Sequence, residues 1–328
     1  MDEVYFPNSE GERRLKILID RLKEENRNKK YDCIMGISGG LDSSYLAYLG
    51  AVKWGLRVLA IHVDDGYDTE ISKQNIKKLC DAAKIELVNV TPDVKQFNEL
   101  TRAFIFAKVP NLAIPQDNVL FANVYKFIKD QGIRTFLSGG NFALESILQQ
   151  SDTHNNLDVR NIKDINRIYG RDKLDKLDFL TLFKRDIESI ILRVESPRPL
   201  NYIDYNREKA LNELYEFCGF EYYGSKHLEN ILTKFIQVYW LYHKFNVDKR
   251  TSHLSSMIVS SQISRQEALD MLEMPIYNDE DMQKEIDLIL SRVEISRNEF
   301  EKIMKEPVNQ HSDFKTSNYI KLRSKLKG

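Results

Sequence analysis

Apolar residues in this 328-residue chain fall into two patterns. Short continuous runs recur in the first half: YDCIMGI at 31–37, RVLAIHV at 57–63, IELVNV at 85–90 and RTFLS at 134–138. Between them the apolar positions recur three and four residues apart, as in GERRLKILIDRLKEENRN at 11–28, TEISKQNIKKLCDAA at 69–83 and DNVLFANVYKFIKDQ at 117–131. The first pattern predicts buried strands and the second amphipathic helices. Their alternation predicts a parallel sheet with helices on both faces. Helical pieces continue in NIKDINRIYG and LTLFKRDIESIILRV. Pro197 and Pro199 then bar a regular helix, and a fifth, edge strand is expected near Arg198–Ile203. Beyond Asn206 almost everything reads as helix. The expected organisation is an α/β domain over 1–205, with a helical lead-in over 1–30, followed by a mostly helical domain over 206–328.

One repeat is visible in the helical part. ISRQEALDMLEMP (263–275) and ISRNEFEKIMKEP (295–307) align without gaps. Each opens on Ser-x-x-Glu, a capping box, and closes on Pro. Two copies are too few for a solenoid, so a pair of bundled helices is expected.

The turns after the strands carry the candidate chemistry. The first strand breaks at Ser38-Gly39-Gly40, and Leu41-Asp42-Ser43-Ser44 opens a helix. Strand, glycine-rich turn and helix N-terminus together form an anion site, with glycines for close approach, serine hydroxyls as donors and first-turn amides aimed at the ligand. No lysine follows, which excludes the GxxxxGK[ST] loop. Asp42 beside phosphates would repel them unless a cation lay between, so it implies Mg²⁺. A second such turn, Ser138-Gly139-Gly140-Asn141, follows the fourth strand, and Asp64-Asp65 follows the second. All three are expected at the carboxyl edge of the sheet, where α/β folds bind ligands.

Composition narrows the reading further. With 48 basic and 49 acidic residues the formal charge is −1, which disfavours broad nucleic-acid binding. There is no apolar run long enough for a membrane span and no signal peptide, so a cytoplasmic location is expected. Cys33, Cys80 and Cys218 are widely spaced, without a CxxC pair, and read as reduced core thiols.

Two clusters in the helical half, taken on spacing alone, are solvated helix ends: Lys226-His227-Leu228-Glu229 with Lys234 and Gln237, and Lys249-Arg250-Thr251-Ser252-His253. They are also where a specific resemblance appears. The SGGxDS spacing resembles the PP-loop of the ATP pyrophosphatases. YYGSKHLENILTKFIQVYW and DKRTSHLSSMIVSSQISRQEAL resemble the C-terminal signature of the N-acetyl sugar amidotransferases, PP-loop enzymes of bacterial surface-glycan synthesis, including lipopolysaccharide and capsule. KVPNLAIPQDNVLFANVYKFIKDQGIRTFLSGGNFALES and RPLNYIDYNREKA resemble that family's central block and linker, so the likeness runs from about residue 31 to about 275. Many relatives carry an N-terminal cysteine-rich segment that looks zinc-binding; this sequence lacks it.

The resemblance implies a PP-loop α/β fold with a C-terminal helical domain, and a defined reaction. ATP would adenylylate the acetamido oxygen of a nucleotide-linked N-acetyl sugar, and ammonia would displace AMP to give an acetamidino sugar, with pyrophosphate released. Ser38, Gly39, Gly40, Asp42, Ser43, Ser44, Ser138, Gly139 and Gly140 would hold ATP and its pyrophosphate. Asp42 would also bind Mg²⁺. Asn141, Lys226, His227, Glu229, Lys249 and Arg250 would meet the substrate, with Asp42, Lys249 and His253 as the catalytic set. No cysteine sits where a glutaminase nucleophile would, so ammonia is expected from a separate glutaminase subunit. A PP-loop tRNA-modifying enzyme is the alternative reading.

Overall fold

The computed structural model describes residues 4–149, 153–224 and 228–327. In chain order the elements are α1 (Ser9–Glu25), β1 (Cys33–Gly36), α2 (Leu41–Tyr48), β2 (Val58–Val63), α3 (Glu70–Ala83), β3 (Glu86–Val90), α4 (Val94–Ala107), α5 (Ile114–Gln131), β4 (Phe136–Leu137), α6 (Phe142–Glu145), α7 (Val159–Tyr169), α8 (Leu182–Ile191) and α9 (Arg207–Cys218). Then come α10 (Ile231–Lys234), α11 (Leu241–Phe245), α12 (Arg250–Val259), α13 (Arg265–Glu273), α14 (Asp279–Arg292), α15 (Arg297–Lys305) and α16 (Asn318–Lys327).

The four strands pair in the order β3-β2-β1-β4, every pair parallel. Cys33 lies opposite Val58, Ile34 opposite Phe136 and Leu59 opposite Glu86, so β1 and β2 are central and read as continuous apolar runs, as strands covered on both faces must. The expected strand at Arg198–Ile203 does not form. Instead Glu195 bridges Thr135 in parallel, Phe136 donates to Glu195 O, Ser138 donates to Pro197 O, and Pro199–Tyr202 turns into a 3₁₀ helix. Pro197 has no N–H to extend the ladder, so the edge pairing stops there.

Two large apolar clusters hold the molecule. One gathers Leu22, Met35, Tyr45 and Ala60 with Leu214, Phe220, Leu254 and Met257; the other gathers Phe97, Phe104 and Ile165 with Trp240, Met282, Ile286 and Phe300. Each takes residues from both sides of position 205, so the core does not divide where the sequence pattern changes. The repeat helices are α13 and α15. Both carry the full capping box, Ser264 with Glu267 and Ser296 with Glu299. Between α10 and α11 the backbone runs as a π turn, Phe235–Trp240. Such turns are rare and often sit at functional positions, and this one brings Ile236 and Gln237 to a cavity wall. Among the described residues no helix is long and apolar enough to cross a membrane.

Candidate active site

The turn after β1 is held by its own hydroxyls. Ser43 Oγ donates to Gly40 O at 3.2 Å and accepts from Ser38 N at 3.3 Å, while Gly40 N donates to Ser38 Oγ at 3.2 Å. Gly39 has φ of +75°, and a Cβ there would lie 2.4 Å from Ser72 O, so only glycine fits. The second glycine turn meets the first. A Cβ on Gly139 would stand 3.3 Å from Asp42 C and Ser43 N. Both turns therefore close on one point at the carboxyl edge of the sheet.

Asp42, in the first turn of α2, accepts a short hydrogen bond from Tyr205. The Tyr205 ring is buried and stacks on Tyr45 at 5.7 Å; burial first, and then the Asp42 carboxylate, push its hydroxyl far above the usual tyrosine range. It stays protonated and fixes the orientation of Asp42. Asp42 is thus half-buried and braced from behind, not simply solvent-facing as a turn residue would be. The segment after α9 covers the same loop. Tyr223 Oη accepts the Leu41 amide at 2.9 Å, and Glu229 Oε1 accepts from Ser38 Oγ at 3.3 Å.

Two cavities share this loop as their common wall, through Ser38, Ser43, Gly139 and Glu229. The larger, about 820 Å³, opens off the strand ends and is bordered by His62, Asp65, Gln116, Ser138, Asn230, Gln237 and Lys249, with Arg185 and Arg198 farther along. The smaller, about 300 Å³, lies on the α2 side and is bordered by Gly40, Asp42, Gly140, Glu145, Arg207, Tyr222, Tyr223 and His253. Asp65 is buried on the larger wall. Its carboxyl accepts from Tyr67 N and Asn230 Nδ2 and from Gln116, yet burial, followed by the Asp68 charge, raises its pKa to about 6.

The proposed site residues divide accordingly. Ser38, Gly40, Asp42, Ser43, Ser138, Gly139, Gly140, Glu229, Lys249 and His253 border one cavity or both. Gly39 supports the turn from below. Ser44 is fully buried and its hydroxyl finds no hydrogen-bond partner among the described residues, so it does not face a ligand. Asn141 is 2% exposed and spends its side chain on capping α6 through Leu144 N and on Gly139 O. Arg250 reaches the smaller cavity's rim, but its guanidinium grips Asp248 and the carbonyls of Met271, Leu272 and Met274 at the end of α13. Lys234 pairs with Glu285 at 2.8 Å. Lys226 and His227 lie outside the described residues. Sequence reasoning missed Gln116, Tyr205, Tyr223 and Asn230; only the resemblance blocks that contain them marked them at all.

Residues 12–113 match the NAD synthase family model, and residues 229–327 match the model described as LPS biosynthesis protein WbpG-like, C-terminal domain. The chain joins an NAD synthase-type PP-loop region to a WbpG-like C-terminal domain. Both matched regions supply walls to both cavities: Ser38 and Ser43 from the first, Glu229 with Lys249 or His253 from the second. Among solved structures, NH3-dependent NAD synthetase from Campylobacter jejuni is similar at 16% identity and a TM-score of 0.35, covering 82% of this chain and 99% of that one. U34-tRNA thiolase NcsA from Methanococcus maripaludis is similar at 17% identity and a TM-score of 0.36, covering 75% and 80%. At those scores neither likeness bears on substrate. No curated protein matches.

Proposed function

We propose that this protein is an ATP-dependent, AMP-forming amidotransferase of lipopolysaccharide biosynthesis, which converts the acetamido group of a nucleotide-linked N-acetyl sugar into an acetamidino group. The observation that carries the reading is the meeting, around one glycine-serine turn, of an NAD synthase-type region and a WbpG-like region. The first is a ligase-type nucleotide module. The second is described by its role in making a surface glycan.

An amide oxygen must be turned into a leaving group before nitrogen can replace it. Attack of that oxygen on the α-phosphorus of ATP does this and releases pyrophosphate; ammonia then adds and AMP departs. In this reading the 38–43 turn receives the phosphates, whose oxygens replace the hydroxyls that now accept the Ser38, Gly40 and Leu41 amides. The larger cavity, with Arg185, Arg198 and Lys249 on its border, suits a nucleotide-linked sugar. The smaller holds Asp42, Glu145 and Glu229, a carboxylate set suited to Mg²⁺, which when bound would neutralise the pyrophosphate. His253 borders the same small cavity, which supports a role for it in taking a proton from incoming ammonia.

The three cysteines give no glutaminase nucleophile. Cys33 and Cys80 are buried, and burial raises the thiol pKa of each, that of Cys80 to about 11; Cys218 is raised as well and donates to Leu214 O. In this reading ammonia comes from solution or from a separate glutaminase subunit, and the burial of Cys33 and Cys80 supports it. Incubation with Mg-ATP, ammonium and a panel of nucleotide-linked acetamido sugars tests the reading. A product one mass unit lighter, formed with equimolar AMP and pyrophosphate, supports it. ADP with orthophosphate, or AMP formed only with tRNA present, refutes it.

A further inference from the structure

At the carboxyl end of β2, His62, Asp64 and Asp68 each bring one ligand-type atom within 4.8 Å of the others, and His62 and Asp68 border the larger cavity. The geometry points to a divalent-cation site here, distinct from the Mg²⁺ site proposed at Asp42, with His62 Nε2 and the carboxylates of Asp64 and Asp68 as ligands.

The imidazole is preset for the task. Its Nδ1 donates to Ile37 O at 2.9 Å, which fixes the tautomer and leaves Nε2 directed away from the strand, as in second-shell bracing of a metal-bound histidine. Asp68 is nine-tenths buried. Its Oδ1 accepts from Asn230 Nδ2 at 3.3 Å, and its buried Oδ2 has only His62 beside it among the described residues. That oxygen lies 3.0 Å from His62 Nε2. The two atoms pair through a proton on the imidazole, and a bound cation would take that proton's place between them. Adjacent ligands on one ion with bonds of about 2.1 Å stand roughly 3 Å apart, which is the spacing of these two atoms. Asp64 is held by its own turn, its Oδ1 accepting Gly66 N at 2.9 Å.

Charge balance argues the same way. Asp64, Asp65 and Asp68 cluster within five residues, and the nearby Arg292 guanidinium is engaged by Gly66 O and the face of Tyr67. A cation among the carboxylates would offset their repulsion. One nitrogen and two carboxylate oxygens suit Mn²⁺ or Zn²⁺ better than Mg²⁺, which favours all-oxygen shells.

Mn²⁺ added to the full chain without nucleotide, followed by electron paramagnetic resonance, tests the site. One bound ion with a nitrogen coupling from imidazole, displaced by Zn²⁺, is the expected result. His62→Gln and Asp64→Asn should each weaken binding at least tenfold, and Asp42→Asn should leave it unchanged. Asp64 is half-buried and Asn keeps an acceptor for Gly66 N, so that variant keeps the test readable if His62→Gln fails to fold. Absence of binding without nucleotide, or binding lost in Asp42→Asn and kept in Asp64→Asn, would overturn the proposal. Because the readout needs no turnover, it stands or falls apart from the amidotransferase reading.

Discussion

The two cavities differ in how their walls are made. The wall they share is set largely by strand ends and a helix start, Ser38, Ser43 and Gly139, with Glu229 hydrogen-bonded to Ser38. The outer walls are side chains from separate helices, brought together only by packing. Lys249 and His253 show the contrast. They are four residues apart at the start of α12, yet Lys249 borders the larger cavity and His253 the smaller. A shared loop serving two differently walled chambers suits a reaction that must bring a large activated substrate and a small nucleophile to one atom.

The sharpest way to break this picture is beside the shared wall, at Asp42 in the smaller cavity. Asp42→Asn keeps an acceptor for Tyr205 but removes the charge. Turnover should fall by about a hundredfold or more, as for other lost electrostatic contacts, with the melting temperature nearly unchanged. Near-normal AMP release in that variant would end the PP-loop assignment. Asp42→Ala is a poorer probe. It strands the buried Tyr205 hydroxyl, at a cost of about 1–3 kcal/mol, and so mixes folding with chemistry.

Arg250 sharpens the comparison from the other side. Its guanidinium binds Asp248 and the last carbonyls of α13. Arg250→Met should therefore cost about 2 kcal/mol in denaturant unfolding and leave the KM for ATP and sugar in place. A rise in sugar KM at unchanged stability would instead return Arg250 to the substrate.

A smaller effect separates the chambers directly. Lys249→Met should raise the sugar KM roughly tenfold with kcat held. His253→Gln should lower kcat, most at low ammonium, with the sugar KM held. If both variants move the same constant, the division into two chambers is wrong.

The same contrast explains what could be read from the chain. β1, β2, β3 and the turn at 38–43 are local: an apolar run, glycines and a helix start within a dozen residues fix both structure and polarity. The capping boxes at Ser264 and Ser296 are local too. The bracing of Asp42 by Tyr205 spans 163 residues and that of Leu41 N by Tyr223 spans 182, so no periodicity could reveal them. Asn141 was misleading because it follows a glycine turn, where the same residue type caps a helix or meets a ligand. The edge strand failed for a related reason. Pro197 and Pro199 were visible, but the residue that pairs with Thr135 is Glu195, upstream of the expected run.

The last difference lies in the outer wall of the larger cavity, where Thr153, Asn156 and Leu157 border it. This stretch is held by residues near the C-terminal end. His311 is buried and stacks on His154 at 4.6 Å; its Nδ1 donates to Asn161 Oδ1, while Nε2 has no hydrogen-bond partner among the described residues. Asp158, which faces His154, accepts from Ser317 N and Asn161 N. Burial, and then the neighbouring His154, lower the His311 pKa from 6.5 to about 3. The folded chain therefore keeps His311 neutral, while the unfolded chain binds a proton there below pH 6.5. Between pH 6.5 and about 3 the unfolded state holds more protons at this residue, so stability must fall as pH falls. The slope from His311 alone is roughly 1 kcal/mol per pH unit. His311→Gln keeps a donor for Asn161 and cannot titrate in this range. Urea unfolding followed across this window, on its upper side where carboxylates remain charged, should show the wild-type slope reduced by about that amount in the variant. Equal slopes would mean that this wall does not depend on a neutral His311.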